Sequence, residues 1–339
     1  MLTPFRVPVT LARMSLSLEI VKTLADGKFH SGQQLGEQLG VSRAAICKAV
    51  HQCAALGLDV HAVSGKGYCL RQPMELLEHE RIQQSLARQT QALIRQLDVL
   101  PSVDSTNQYL LSSARSLSSQ AEVCVAEHQT QGRGRRGRSW QSPYGVNIYL
   151  SVRWRYNSGP ASLSGLSLAL GVVLVQALEQ HGAQGLSLKW PNDVLLQQHK
   201  VAGVLLDVVG EADGPCTLVA GVGINLGLQT PQASEIEQPW ANVSFSRTVS
   251  RNALVGSILD GMLPCLQQFT ETGLAPYLST WQQYDAYRDQ AVTLINADRQ
   301  TCGIARGISE NGALRIEIDG VERNIMAGEV SLRAGGAEC

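Results

Sequence analysis

The chain lacks most of the devices by which a protein of this size announces its chemistry. Its eight cysteines, at positions 47, 53, 69, 124, 216, 265, 302 and 339, form no C-x-x-C pair, and their smallest gap is six residues. That scatter fits neither a zinc site nor a disulfide framework and points to reduced thiols in a cytoplasmic protein. Net charge is nearly absent, with 28 basic residues against 29 acidic, so no global field draws in DNA or a membrane surface and any anion binding must be local. The longest strongly apolar run, Leu166 to Leu178, is too short to span a bilayer and reads as a core helix. Met1 to Arg13 holds no sustained apolar region and is not a secretory signal; residues 1–14 read as a disordered extension. There is no G-x-x-x-x-G-K-[ST], so a nucleotide would not be held by a P-loop. No nucleophile constellation stands out either.

What is present fits a soluble globular protein: 339 residues, 44% hydrophobic and 17% charged, enough for two or three domains. Over residues 15–72 the pattern is a winged helix-turn-helix. Leu18, Ile20, Val21 and Leu24 form a helical stripe that ends at Asp26-Gly27. Ser31 opens a second helix with Gln34 at capping-box spacing, and Ser42 caps a third whose inward stripe is Ile46, Ala49, Val50 and Cys53. Arg43, Cys47 and His51 recur on its outer face, with Lys48 beside them, where a recognition helix meets a major groove. Leu58 to Leu70 reads as a hairpin behind it, a wing whose Lys66 can reach phosphate. The module carries six Lys/Arg against four Asp/Glu, a small surplus for a DNA binder, so the order of elements is the stronger signal.

A polar segment, residues 73–96, reads as a linker helix. From 97 to 285 apolar strands alternate with helices, the pattern of a mixed-sheet α/β domain. From 286 to 339 short alternating segments separated by Glu310-Asn-Gly and Asp319-Gly predict a small β-barrel, and the whole an α+β multi-domain protein.

The chemistry concentrates in the central domain. Gly132 to Arg138 holds four arginines and three glycines and nothing else. Its glycines disfavour helix and strand, and its guanidinium forks pair with carboxylate or phosphate oxygens. By itself this is either a lid over an anion or a solvated nucleic-acid tether. Leu188-Lys189-Trp190-Pro191-Asn192-Asp193 then puts a cation, an amide and a carboxylate at a strand end, suited to a phosphate and its Mg²⁺. Lys200 launches what reads as a fully buried strand, Val201 to Val209. Gly221 and Gly223 in the next strand imply close approach by another backbone or a ligand. Cationic loops with one carboxylate suit electrostatic stabilisation of a phosphoryl reaction better than covalent catalysis.

Gly132-Arg-Gly-Arg-Arg-Gly-Arg, Lys189-Trp-Pro-Asn-Asp, Lys200-Val-Ala-Gly and Gly221-Val-Gly-Ile-Asn, in this order, resemble the biotin–protein ligases, and the winged helix in front is similar to the bifunctional ligase and biotin operon repressor form. The resemblance implies an SH3-like C-terminal domain, biotin and ATP as substrates, and Mg²⁺. It implies the biotin carboxyl carrier protein of acetyl-CoA carboxylase as acceptor, biotin operator DNA as a partner, homodimerisation on adenylate binding, and no membrane association. It places Ser105, Thr106, Asn107, Gln129, Gly132, Arg133, Gly134, Arg135, Lys200 and Gly203 on biotin. Arg133, Arg135, Arg136, Arg138, Trp140, Asn192, Asn225 and Trp240 would face ATP or the adenylate, with Trp240 stacked on adenine. Arg135, Lys200, Lys189 and Asp193 would be catalytic, Asp193 also the candidate Mg²⁺ ligand, and Ser42, Arg43, Cys47, Lys48, His51 and Lys66 would contact DNA.

Three rivals are open. A lipoate or octanoate transferase shares the architecture but not the arginine loop. A transcription regulator sensing a small molecule through a degenerate enzyme domain is opposed by the presence of all four catalytic candidates. A ligase whose winged helix no longer binds DNA is favoured by Cys47 and Ala49 on the recognition helix, where more polar side chains are expected.

Overall fold

The computed structural model describes residues 9–112, 120–234, 236–296, 299–326 and 330–334. The first helix, α1, runs Val9–Leu24, so it includes part of the segment read as a disordered extension; residues 1–8 of that segment lie outside the described residues. Helix α2 (Gly32–Leu39) carries the expected capping box between Ser31 and Gln34. Ser42 caps α3 (Arg43–Cys53) by accepting the Ala45 N–H. Gly36 lets the two helices meet closely, since a Cβ there would press on the Val41 carbonyl oxygen. The wing is β1 (Val60–Val63) paired antiparallel with β2 (Gly67–Leu70). Ser42, Arg43, Cys47, Lys48, His51 and Lys66 are all solvent-exposed on this module.

Residues 73–96 are not one linker helix. They form α4 (His79–Ser85) and α5 (Arg88–Leu93), and β3 (Ile94–Leu100) already begins inside the segment. Nor do they stand free: Leu77, Ile82 and Leu86 are buried in the core of the central domain. Most of the polar residues that suggested a connector face solvent, Glu75 and Thr90 excepted, while those three apolar ones pack.

The central sheet has seven strands in the order β3-β4-β5-β9-β8-β7-β6, with β4 Ala121–Ala126, β5 Ile148–Tyr156, β6 Leu186–Lys189, β7 Asp193–Leu196, β8 His199–Gly210 and β9 Cys216–Ile224. Only β3 and β4 pair in parallel. One face is covered by α7 (Leu166–Gln180), α8 (Arg251–Thr272) and α9 (Ala275–Tyr284), whose apolar sides share one core with β4, β5 and β9. On the other face α6 (Thr106–Ser112) packs Leu110 against Cys124 and Val219. The helical stretch Pro160–Gln180, long and apolar enough to cross a membrane by composition, is mostly buried in this core.

Strand β8 is not fully buried. Its partner β7 pairs only with His199 to Gly203, and the outer half toward Gly210 pairs with β9 alone, leaving Val209 51% exposed. A run of valines signals a strand, but the length of its neighbour decides how much of it is covered.

The C-terminal domain is a five-stranded antiparallel sheet, ordered β13-β12-β11-β10-β14. Its strands are β10 (Ala291–Asn296), β11 (Arg299–Ile308), β12 (Leu314–Ile318), β13 (Val321–Ile325) and β14 (Val330–Ala334). Cysteines 47, 53, 69, 124, 216 and 265 are free thiols, as their scatter implies; Cys302, in β11, departs from that expectation and is disulfide-bonded.

Candidate active site

The arginine stretch is a closed hairpin rather than a structureless loop. Arg133 pairs with Ser139, the Gly134 N–H donates to the Arg138 carbonyl at 2.7 Å, and the Trp140 N–H donates to the Gly132 carbonyl at 2.8 Å. Between these ties runs a single 3-10 turn, Arg135–Gly137, with Arg136 and Gly137 at positive φ. Glycine at 132 permits the closure, because a Cβ there would collide with the Trp140 carbonyl. The hairpin so tied contributes Arg133, Arg135 and Arg138 to the cleft wall.

Under it lies a cleft that reaches from Ser105–Asn107 at one end to the Lys189–Asp193 corner at the other. Among the described residues six cationic side chains line it (Arg133, Arg135, Arg138, Lys189, Lys200 and Arg333) against one carboxylate, Asp193. The expected residues Ser105, Thr106, Asn107, Gln129, Gly134, Trp140, Asn192 and Gly203 line it as well. Four expected residues do not. Gly132 is buried in the hairpin's closure and Arg136 is exposed on its outer side. Asn225 is buried and donates to the Ala241 carbonyl, holding the segment that follows Pro239. Trp240 pairs along the Lys200 backbone, but the tryptophans lining the cleft are Trp140 and Trp190, with the Lys200 Nζ 5.3 Å from the Trp140 ring centre. The Trp140 indole N–H is buried without a protein partner, a donor left for a ligand.

Gly221 and Gly223 both line the cleft, and side chains make close approaches to them. A Cβ at Gly223 would enter the Trp140 ring, and one at Gly221 would strike the Asn107 amide. It is side chains of the cleft wall, not another backbone, that approach β9 closely.

At the floor, Asp193 sits between two lysines, with Lys200 Nζ at 2.6 Å and Lys189 Nζ at 3.9 Å. Burial opposes ionisation of this carboxyl, yet Lys200, Lys189 and Arg138 outweigh it and hold its pKa below the usual range. Burial pushes the Lys189 ammonium down to about 8; Asp193 opposes the fall, and Arg333, Lys200 and Arg138 add to it. Asn192 is locked to β8 through the Val204 N–H and carbonyl, and its Oδ1 accepts from Arg135 at 3.3 Å. Cis geometry at Trp190–Pro191 turns the chain into this corner.

These groups do not build a resident Mg²⁺ site. The one carboxylate is already encased by two ammonium groups, and among the described residues no group of three His, Cys, Asp or Glu gathers.

Arg333, Tyr149, Ser139 and Gln238 also line the cleft. No local signal in the sequence marks them. Arg333 arrives from β14 of the C-terminal sheet, and only tertiary packing brings it beside Lys189.

A winged helix followed by a cation-lined cleft defines a DNA-binding module joined to an enzyme domain for anionic substrates. Comparison with known proteins narrows the class. Residues 99–225 match the biotin/lipoate A/B protein ligase family, residues 17–69 an HTH domain, and residues 289–333 the biotin protein ligase C-terminal domain. The chain is 44% identical to the bifunctional ligase/repressor BirA of Salmonella typhimurium and 42% identical to that of Escherichia coli, in each case over 94% of this chain and 98% of the relative. A solved biotin protein ligase from Aquifex aeolicus, in complex with biotin and ATP, superposes with a TM-score of 0.60 at 29% identity, over 71% of this chain and all of that one. The chain belongs to the biotin–protein ligase family, in its form with an N-terminal HTH domain.

Proposed function

We propose that the chain activates biotin with ATP and passes the biotinyl group to one lysine of the biotin carboxyl carrier protein of acetyl-CoA carboxylase. The observation that carries this reading is the imbalance of the cleft, six cations to one carboxylate, in a protein with almost no net charge. Such a site is built to bring two anions together. A carboxylate oxygen of biotin attacks the α-phosphorus of ATP, the new O–P bond forms, and the α–β bridge breaks to release pyrophosphate. Arg135 and Lys200 offset the repulsion between the two anions, while Lys189, Arg138 and Asn192 face the phosphates. Ser105, Thr106, Asn107 and Gln129 take the ureido end of biotin, and Trp140 flanks the adenylate. Mg²⁺ enters as the counter-ion of ATP, held by the triphosphate. In the second step the acceptor lysine nitrogen attacks the acyl carbon, the carbon–oxygen bond to phosphate breaks and AMP leaves. Asp193 orients that amine once Lys200 has turned to the phosphate.

The winged helix gives the second activity, biotin-responsive repression of the biotin operon in the cytoplasm, through Ser42, Arg43, Cys47, Lys48, His51 and Lys66 on operator DNA. A homodimer promoted by the adenylate presents two such modules. The half-covered strand β8, with Val208 and Val209 exposed along an unpaired edge, is the surface that supports it.

The test is direct. Purified chain with biotin, ATP, Mg²⁺ and carrier protein should yield one biotinylated lysine and one AMP per turnover, and biotin with ATP should sharpen a gel shift on the operator. Transfer of lipoate or octanoate instead of biotin would refute the enzymatic reading. A ligase that never shifts the operator would refute the repressor.

A further inference from the structure

The ureido end of the cleft is wired to a carboxylate that no motif includes. Asn107 is 3% exposed and its amide lies flat over Gly221, spanning three neighbouring strands. On the β8 side its Nδ2 donates to Asp207 Oδ2 at 2.8 Å. On the β5 side its Oδ1 lies 2.6 Å from the hydroxyl of Ser151, a residue with no exposure at all. Ser151 Oγ is in turn 2.7 Å from Thr106 Oγ1, which lines the cleft.

Proton bookkeeping then fixes the direction of every bond. A carboxylate accepts and does not donate, so the amide nitrogen of Asn107 must face Asp207 and its oxygen must face Ser151. An amide oxygen has no proton, so the single hydroxyl proton of Ser151 goes to Asn107. The short contact between Ser151 and Thr106 therefore uses the Thr106 proton. Gln129 Oε1 accepts the Thr106 backbone N–H at 2.9 Å and is a second acceptor for the Thr106 hydroxyl at 3.2 Å, a contact longer than the 2.7 Å to Ser151 that takes the proton. What Thr106 turns to the cleft is a lone pair.

We propose that Asp207 is a specificity-determining positioning residue: through Asn107 and Ser151 it sets Thr106 as a hydrogen-bond acceptor, so that this end of the cleft reads an N–H of a cyclic urea. The inference rests on the reading that biotin's ureido ring binds here. It supplies what that reading leaves open, the reason a hydroxyl able to donate or accept selects a donor. Asp207 touches no ligand itself. Without its carboxylate Asn107 is free to flip, Ser151 then donates to Thr106, and the Thr106 proton turns into the cleft, where it meets the urea N–H head-on.

The experiment measures binding of biotin, and of its two cyclic carbamate analogues in which one ureido N–H at a time is replaced by oxygen, to the full chain and to Asp207→Ala and Ser151→Ala. The parent should prefer biotin to at least one carbamate by 10-fold or more, about 1.4 kcal/mol per factor of ten. Both variants should lose about 10-fold in biotin affinity and bring that preference to within about threefold, because Thr106 can now donate to the ring oxygen. The preference is a ratio of affinities, so partial unfolding of a variant scales both terms equally and leaves it unchanged. A preference that survives intact in Asp207→Ala overturns the inference while leaving the ligase reading standing. A parent that binds no biotin overturns both.

Discussion

Asp193 is encased by two lysines at the cleft floor. Like charges crowded at a cleft floor repel, and an internal carboxylate offsets the repulsion until substrate oxygens take over. Lys200 is the group closest to making the exchange, since it sits 2.6 Å from Asp193 and also lines the cleft beside Trp140. Lys200→Ala should lower the adenylation rate at least ~10-fold, read in a single-turnover measurement of pyrophosphate release; an unchanged rate removes Lys200 from the chemistry. Lys189 makes binding depend on pH. Burial lowers its folded pKa to about 8, against about 10.4 in an unfolded chain. Between those values the unfolded chain binds more protons, so on this account stability rises with pH. Affinity for anions moves the other way, because the empty site loses a positive charge as pH rises through 8. ATP affinity should therefore weaken between pH 7 and pH 9, about one unit either side of that value, and Lys189→Arg, which cannot deprotonate there, should flatten the profile. A profile equally steep in the variant would assign the loss to another group.

The arginine hairpin and β9 decide function at the scale of elements. The hairpin is pinned at Gly132 and Gly134, so Arg135 is presented to the cleft and not merely tethered near it. Arg135→Ala should let the acyl-adenylate escape and label lysines on unrelated proteins, a leak visible as biotin incorporated into an added bystander; retention as tight as the parent's would show that the hairpin does not act as a lid. On β9, a methyl group at Gly223 would push into the Trp140 ring. Gly223→Ala should cost roughly 1–3 kcal/mol of stability, the range for overpacking a filled site, and weaken ATP more than biotin. Equal losses for both ligands would place Trp140 away from the nucleotide. Elements differed in how far the sequence disclosed them. The caps at Ser31 and Ser42 and the hairpin turns of the C-terminal sheet were readable because each depends on neighbours a few residues away. Helix α8 was not announced. Pro264 and two glycines interrupt its pattern, and those glycines are there to admit Ser85 and Val173 from other helices.

Over the whole molecule, DNA module and enzyme share one packed boundary. Tyr144, from the turn before β5, is buried among Ile20, Leu24 and Leu35 of the winged helix, and Met74 packs beside it against Gly145. Glu75 then accepts hydrogen bonds from Ser250 and Arg251 at the start of α8. The arginine hairpin leads from Trp140 straight into that turn, so the ligand-binding loop and the DNA module are neighbours along the chain as well as in space. The two surfaces are still chemically separate. Arg43→Ala with Lys48→Ala should abolish the operator shift, or weaken it at least ~10-fold at physiological salt, with carrier biotinylation unchanged. If biotinylation fell in step with DNA binding, the exposed face of α3 would have to serve the enzyme too.

The sequence by itself determined the order of domains, the helix caps, the winged helix and the motifs Gly132 to Arg138, Lys189 to Asp193 and Lys200. All of these are set by local backbone preference or by runs of one chemistry. Only tertiary structure decided which side of each motif faces the cleft: that Trp140 lines it and Trp240 does not, that Arg333 joins from the last strand, and that Asp207 reaches Asn107 across Gly221. Those choices depend on which strands are neighbours and on the space a missing Cβ leaves, and neither is written in the spacing of residues along the chain.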